Sequence, residues 1–257
     1  MKTLKVYWAM VHRDLLVTAR HFGDFAYRVT MLPFMLILLF GYILPTIGQI
    51  PETFPSILFP GILAASVMVS GLHSISIPLA LDLHGSREIE DRLLAPVPVW
   101  SVGAAKLTLG VLESWLGGLI VLPIAWLLMG GNVELMVTSW PLFILILVLG
   151  GIASASLGLL VGTYLKPPQI PAMFPGFLIP LVLLGAVFFP WPRLSAIPWL
   201  QYLVLLDPLV YVSEAFRSVL TPNVPHMPVR YALIGMAAFS VLLAGIGLRR
   251  FAKVTVD

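Results

Sequence analysis

The chain of 257 residues is 59% hydrophobic and 11% charged, where a soluble domain carries roughly a quarter charged residues, and its mean hydropathy is +0.99. That balance excludes a soluble protein built on one water-excluded core and calls for apolar side chains that face lipid. With no cysteine there are no disulfides, thiolate metal sites or cysteine nucleophiles, and a net charge of +3 gives no nucleic-acid signature.

Residues 1–28 precede the first long apolar run and contain Lys2, Lys5, Arg13, Arg20 and Arg28. Leu4, Trp8, Val11 and Leu15 recur at helical spacing, with Lys5, His12 and Arg13 largely elsewhere on the wheel. This predicts an amphipathic helix on the membrane surface, the alternative being a solvated tail. Tyr7 and Trp8 favour the surface helix, because such rings prefer headgroup depth. The apolar run that follows starts too late and is too long for a cleaved signal peptide.

Six stretches approach or exceed the ~20 apolar residues that cross a ~30 Å hydrocarbon core. They lie at about 29–48, 57–81, 102–129, 140–165, 170–189 and 229–248, which predicts an all-α polytopic membrane protein in a single domain. Six crossings put both termini on one side. Twelve of the 15 Lys and Arg fall there, against Arg193, Arg217 and Arg230 on the other, so the positive-inside rule makes that side the cytoplasm.

Between the second and third runs, residues 82–98 hold six of the 27 charged side chains. Ser86 can cap a helix, Glu88, Glu90 and Asp91 suit its first turns, and Pro96 stops it after about two turns. Ile89, Leu93 and Leu94 then pack on one side while Arg87, Glu88, Glu90, Asp91 and Arg92 offer both signs of charge to a cytoplasmic partner. A loop whose charges only keep it out of lipid fits the residues equally well.

In the third run Gly110, Ser114 and Gly118 are spaced by four, as are Gly150, Ser154, Gly158 and Gly162 in the fourth. These are small-residue seams for close packing within the subunit. Glu113 is an ionisable group inside a span, either a functional acid or a side chain hydrogen-bonded to a neighbouring helix near the cytoplasmic end. The fifth run carries Pro171, Pro175 and Pro180, which kink or loosen it. From 190 to 228 the apolar pieces are too short to cross separately and predict re-entrant helices, with Asp207-Pro208 breaking the chain and Asp207 capping the helix that follows. Glu214 and Arg217, three apart, can pair. The segment reads either as an outer gate or as a structural plug.

Two separated motifs carry a family resemblance. Arg87-Glu88-x-Glu90-x-x-Leu93-Leu94-x-Pro96-Val97 and Asp207-Pro208-Leu209-x-Tyr211-x-x-Glu214-Ala215-x-Arg217 resemble elements of the type-2 ABC export permeases, the group of the daunorubicin-resistance and nodulation-factor exporters. The resemblance implies six transmembrane helices, with Arg87 to Leu94 as a cytoplasmic coupling helix seated in a separate ATPase subunit that holds ATP and Mg. Asp207, Pro208, Tyr211, Glu214 and Arg217 would form the external gate. It also implies a second copy or a homologous permease, whose second and fifth spans face those of this chain, with Phe174, Phe177, Ile179 and Leu183 lining the path.

The chain contains no G-x-x-x-x-G-K-[ST], H-E-x-x-H or G-x-S-x-G pattern, and its five histidines form no ligand spacing. The expectation is therefore a permease without cofactor, metal or catalytic residues of its own, in a bacterial inner membrane, with lipids and an ABC ATPase as partners. It would export an amphipathic substrate such as a lipid, a lipid-linked glycan or a hydrophobic drug. Competing readings are a proton-coupled transporter using Glu113 and a haem-delivery or scaffold permease of similar build.

Overall fold

The computed structural model describes residues 2–51, 53–84, 98–129 and 137–256, and every regular element among them is helical. In chain order these are α1 (Lys2–Arg20), α2 (Phe22–Thr46), α3 (Phe54–His84), α4 (Val99–Met129), α5 (Trp140–Tyr164), α6 (Pro167–Met173 continued by Pro175–Leu184), α7 (Pro198–Leu203), α8 (Pro208–Leu220) and α9 (Val229–Val256). Five of them, α2, α3, α4, α5 and α9, are long and apolar enough to cross a membrane. The two pieces of α6, bent by 44° at the break, meet that test only when taken together.

α3 is the centre of the molecule. Its most apolar window is 89% buried, against 22% for α2 and α9, so α3 faces protein all round while α2 and α9 expose apolar side chains at the periphery. The two small-residue seams both clasp α3. A Cβ on Gly158 of α5 would lie 2.9 Å from the Leu72 carbonyl oxygen, and the Ser154 hydroxyl donates to the carbonyls of Val67 and Met68. Backbones this close replace the hydrophobic drive that lipid cannot supply.

The boundary between the surface helix and the first span moves from residue 28 to His21. Phe25 and Val29 are buried where α2 packs on α3 and α4, and residues 22–28 are continuous with the candidate spanning helix Phe22–Thr46. The face of α1 that packs on the protein is not the whole of the Leu4–Trp8–Val11–Leu15 stripe. Leu4 and Trp8 are exposed, while Tyr7, Val11, Asp14 and Thr18 face the protein. Polar partners on α4 hold Tyr7, Asp14 and Thr18 inward, so the apolar stripe is divided, with Val11 buried and Leu4 and Trp8 outward.

The predicted fifth run, 170–189, is a helix only to Leu184. Its prolines remove the amides that would bridge the break, and the chain then turns through Ala186, a left-handed residue with φ of 55°. α9 continues beyond the predicted end at 248 and carries Arg249, Arg250 and Lys253 in its last turns, where cations complement the helix dipole.

Candidate functional site

Two buried polar clusters sit near opposite ends of α3. Asp82 belongs to one and the Ile57 carbonyl to the other; at 1.5 Å per residue they are about 37 Å apart along the helix, somewhat more than the ~30 Å hydrocarbon core.

The first cluster joins α1, α3 and α4. The Lys106 ammonium donates to Asp82 Oδ2 at 2.9 Å and lies 4.0 Å from Asp14 Oδ2, with Arg13 at 4.0 Å from the other Asp14 oxygen. Asp14, Asp82 and Lys106 are 9, 8 and 4% exposed, so these charges are shielded from water and hold one another. Removing one partner of such a buried set typically costs about 3–5 kcal/mol. Around it, the Tyr7 hydroxyl bonds the Thr108 hydroxyl and the Thr18 hydroxyl donates to Glu113 Oε1. α1 is thus tied to two turns of α4. Asp82 and Lys106 occupy the ends of α3 and α4 that flank residues 85–97, so their bridge clamps together the two helices from which that segment emerges. The predicted coupling residues Arg87, Glu88, Ile89, Glu90, Asp91, Arg92, Leu93 and Leu94 themselves lie outside the described residues.

The second cluster closes the other end. Glu214 and Arg217 on α8 are both fully buried and paired. Glu214 Oε1 accepts from the Trp191 amide at 2.9 Å as well as from Arg217, and Oε2 accepts from the Met227 amide at 2.6 Å. The Arg217 guanidinium also donates to the Ala186 carbonyl at 2.9 Å and to the Ile57 carbonyl at 3.3 Å. One ion pair therefore ties together the start of α3, the turn after α6, the segment before α7 and the lead into α9. The left-handed turn at Ala186 aims its carbonyl at this guanidinium, which compensates backbone strain with a charge-assisted bond.

The other residues predicted for this segment have more local places. Asp207 Oδ1 accepts from the Leu209 amide at 2.8 Å, capping α8, and Pro208 is the buried first residue of that helix. The Tyr211 hydroxyl donates to the Leu205 carbonyl at 3.0 Å, and its ring packs on Phe239 of α9. Of the predicted path residues, Ile179 and Leu183 are exposed and share a groove with Leu32 and Leu36 of α2. Phe177 lies on another side, beside Leu203 and Leu206. The structure thus does not gather these three on one face, and the Phe174 side chain is outside the described ones.

Tyr7, Asp14, Thr18, Asp82 and Lys106 were not among the predicted site residues. Their signal is the i, i+7, i+11 spacing of Tyr7, Asp14 and Thr18 on one side of α1, opposite Lys106 and Glu113 seven apart on α4. Only the pairing of the two faces gives that pattern meaning.

Crossing-length helices around a buried central one, with polar clusters at both ends, define a multi-pass α-helical membrane protein. Residues 5–221 match the family described as ABC-2 type transporter, and the chain belongs to that family. It is 32% identical over 162 residues to the inner membrane transport permease YadH of Escherichia coli strain K12, a match spanning 62% of this chain and 59% of that relative. The proteins of the same name from Escherichia coli O157:H7 and Shigella flexneri match to the same extent. The match thus spans less than two thirds of these relatives' length.

Proposed function

We propose that the chain is the membrane subunit of an ATP-driven exporter in a bacterial inner membrane, with six crossings, α6 being the bent fifth, and both termini cytoplasmic. A separate ATPase subunit binding ATP and Mg engages Arg87 to Leu94 on each of two permease copies. Its closure on ATP displaces that segment and drives an amphipathic substrate outward. The observation that carries this reading is the Asp14–Lys106–Asp82 cluster. A segment that receives force needs a stiff mount, and a buried bridge between the two helices at its roots transmits displacement where a loose hairpin would absorb it. The family and the name of the relatives support transport; the direction and the substrate class belong to this proposal.

In this reading the Asp207–Arg217 segment re-enters from the outer face and seals the path, its buried ion pair acting as the latch. The proton-carrier role of Glu113 gains no support, since its one hydrogen bond among the described residues comes from Thr18.

The test is reversal of Arg87 and Arg92 to Glu. Purified from its native membranes, the unaltered chain should bring with it a soluble ATPase containing a phosphate-binding loop. The double variant should extract in equal yield without it, and undiminished co-purification of the ATPase would refute the coupling assignment.

A further inference from the structure

A cleft runs along the inner side of α2. At its polar end is a cavity of about 470 Å³ lined by Thr18 of α1, Asp24 and Arg28 of α2, and Lys106 and Glu113 of α4. Arg28 also lines a second cavity of about 370 Å³, which is apolar and walled by Met35 and Leu36 of α2 and by Ile62 and Ala65 of α3. From Leu36 the groove continues to Val182 of α6 and to Phe188. The run from Arg28 to Leu36 covers about 12 Å of helix, against the ~15 Å that one leaflet contributes to the hydrocarbon core.

The charges at the polar end are unequally engaged. Lys106 is held by Asp82 and Asp14. Arg28 is exposed and makes no hydrogen bond or ion pair among the described residues. Glu113 is only 4% exposed; its Oε1 accepts from Thr18, while Oε2 accepts no hydrogen bond among the described residues, although the side chain lines the cavity. The polar end therefore offers the Arg28 guanidinium, the exposed Asp24 carboxylate 3.9 Å from the His21 ring, and one buried Glu113 oxygen that accepts no hydrogen bond among the described residues, with an apolar channel leading away from the guanidinium.

We propose that this cleft seats a zwitterionic aminophospholipid, with its phosphate on Arg28, its primary ammonium on Glu113 and one acyl chain in the groove along α2. A guanidinium matches two phosphate oxygens with its fork of donors. An ammonium brings three donors to a carboxylate, whereas a choline headgroup brings none. A purely anionic headgroup brings no cation to set against Glu113, which is buried and makes no ion pair among the described residues, although Arg13, Arg28 and Lys106 also line the cavity. The seat rests on the membrane placement of these helices and is independent of ATPase coupling. The experiment uses no ATP, so either reading can fail alone.

The delipidated protein in neutral detergent is offered dioleoyl phosphatidylethanolamine, phosphatidylcholine or phosphatidylglycerol, and lipid retention is read by native mass spectrometry alongside thermal stabilisation. One phosphatidylethanolamine per chain should be retained roughly tenfold more tightly than either of the others, as expected for one charge-assisted contact. Arg28→Gln and Glu113→Gln should each abolish that preference. The glutamine at 113 can still accept the Thr18 bond, so it tests charge and leaves the packing intact. Ala65→Leu, which fills the groove, should lower retention, and glycerophosphoethanolamine, which has the headgroup without chains, should not compete. Equal retention of the three lipids, preference for phosphatidylglycerol, or unchanged retention in both charge variants would overturn the proposal. If Arg28→Gln does not purify as a single species, Arg28→Lys, which keeps the charge and loses the fork, takes its place.

Discussion

Glu214 and Arg217 offer a quantitative test of how the end of the protein near Ile57 is held. Replacing Arg217 by Met removes the partner of a fully buried carboxylate, along with the donors to the Ala186 and Ile57 carbonyls. Glu214 keeps only the Trp191 and Met227 amides. An uncompensated buried charge of this kind costs about 3–5 kcal/mol. Glu214→Gln leaves the guanidinium facing a neutral amide and costs a similar amount, because one of the two backbone amides also loses its acceptor. The double variant removes both charges, so it should be less destabilised than the sum of the single variants by about 2 kcal/mol, within the range seen for contacting residues. Denaturant unfolding in detergent, followed by tryptophan fluorescence with Trp191 next to the pair, measures all four corners of the cycle. Strict additivity, or a loss below about 1 kcal/mol for Arg217→Met, would mean that the pair is hydrated and does not latch these segments together.

Two further perturbations probe the other contacts. Lys106→Met should destabilise the protein by about 3–5 kcal/mol, with part of the loss restored by adding Asp82→Asn; failure of the second change to restore anything would exclude the bridge as the clamp. Gly61→Ala would bring a methyl to 2.5 Å from the Val187 Cα. Backbone cannot yield there as a side chain would, so a loss of about 1–3 kcal/mol is expected, read as faster protease cleavage between residues 185 and 206. Cleavage at the unaltered rate would show that the turn after α6 is not braced by α3.

Long apolar runs told most of the helix list, because lipid demands length and composition and little else. The seams at Gly110, Ser114, Gly118 and Gly150 to Gly162 were legible for the same reason: small residues four apart have few uses besides close packing. α8 was also legible, since Asp207-Pro208 marks its start and the three-residue offset of Glu214 and Arg217 permits a bond within the helix. What the sequence did not disclose was which side of α1 faces the protein. Its apolar stripe can lie in lipid or against α4, and the answer depends on Lys106, Thr108 and Glu113, which are about a hundred residues away in the chain. The break in α6 was partly legible, for prolines announce weakness without fixing the angle.

The same features locate where the protein can bend. α3, α4 and α5 are clasped by backbone-to-backbone seams, and a block packed this closely moves as a unit. Beyond the first turn of α3, which holds Pro55, the two internal prolines, Pro60 and Pro78, fall near its ends, about 27 Å apart, and each lies within a turn or so of a polar cluster: Pro60 beside Ile57, Pro78 beside Asp82. Between them Ser66, Ser70 and Ser74 each bond back to a carbonyl four residues earlier, and no proline interrupts the ladder. In the proposed mechanism a displacement delivered through the Asp82–Lys106 clamp would reach Arg217 along α3, whose internal prolines adjoin the two clusters. α6, bent by 44° at mid-length and joined to that pair through the Ala186 carbonyl, is the element that the proposed mechanism would have change its angle. Stiffening it by Pro175→Ala together with Pro180→Ala should leave folding intact and slow transport, whereas faster transport would place the moving part elsewhere.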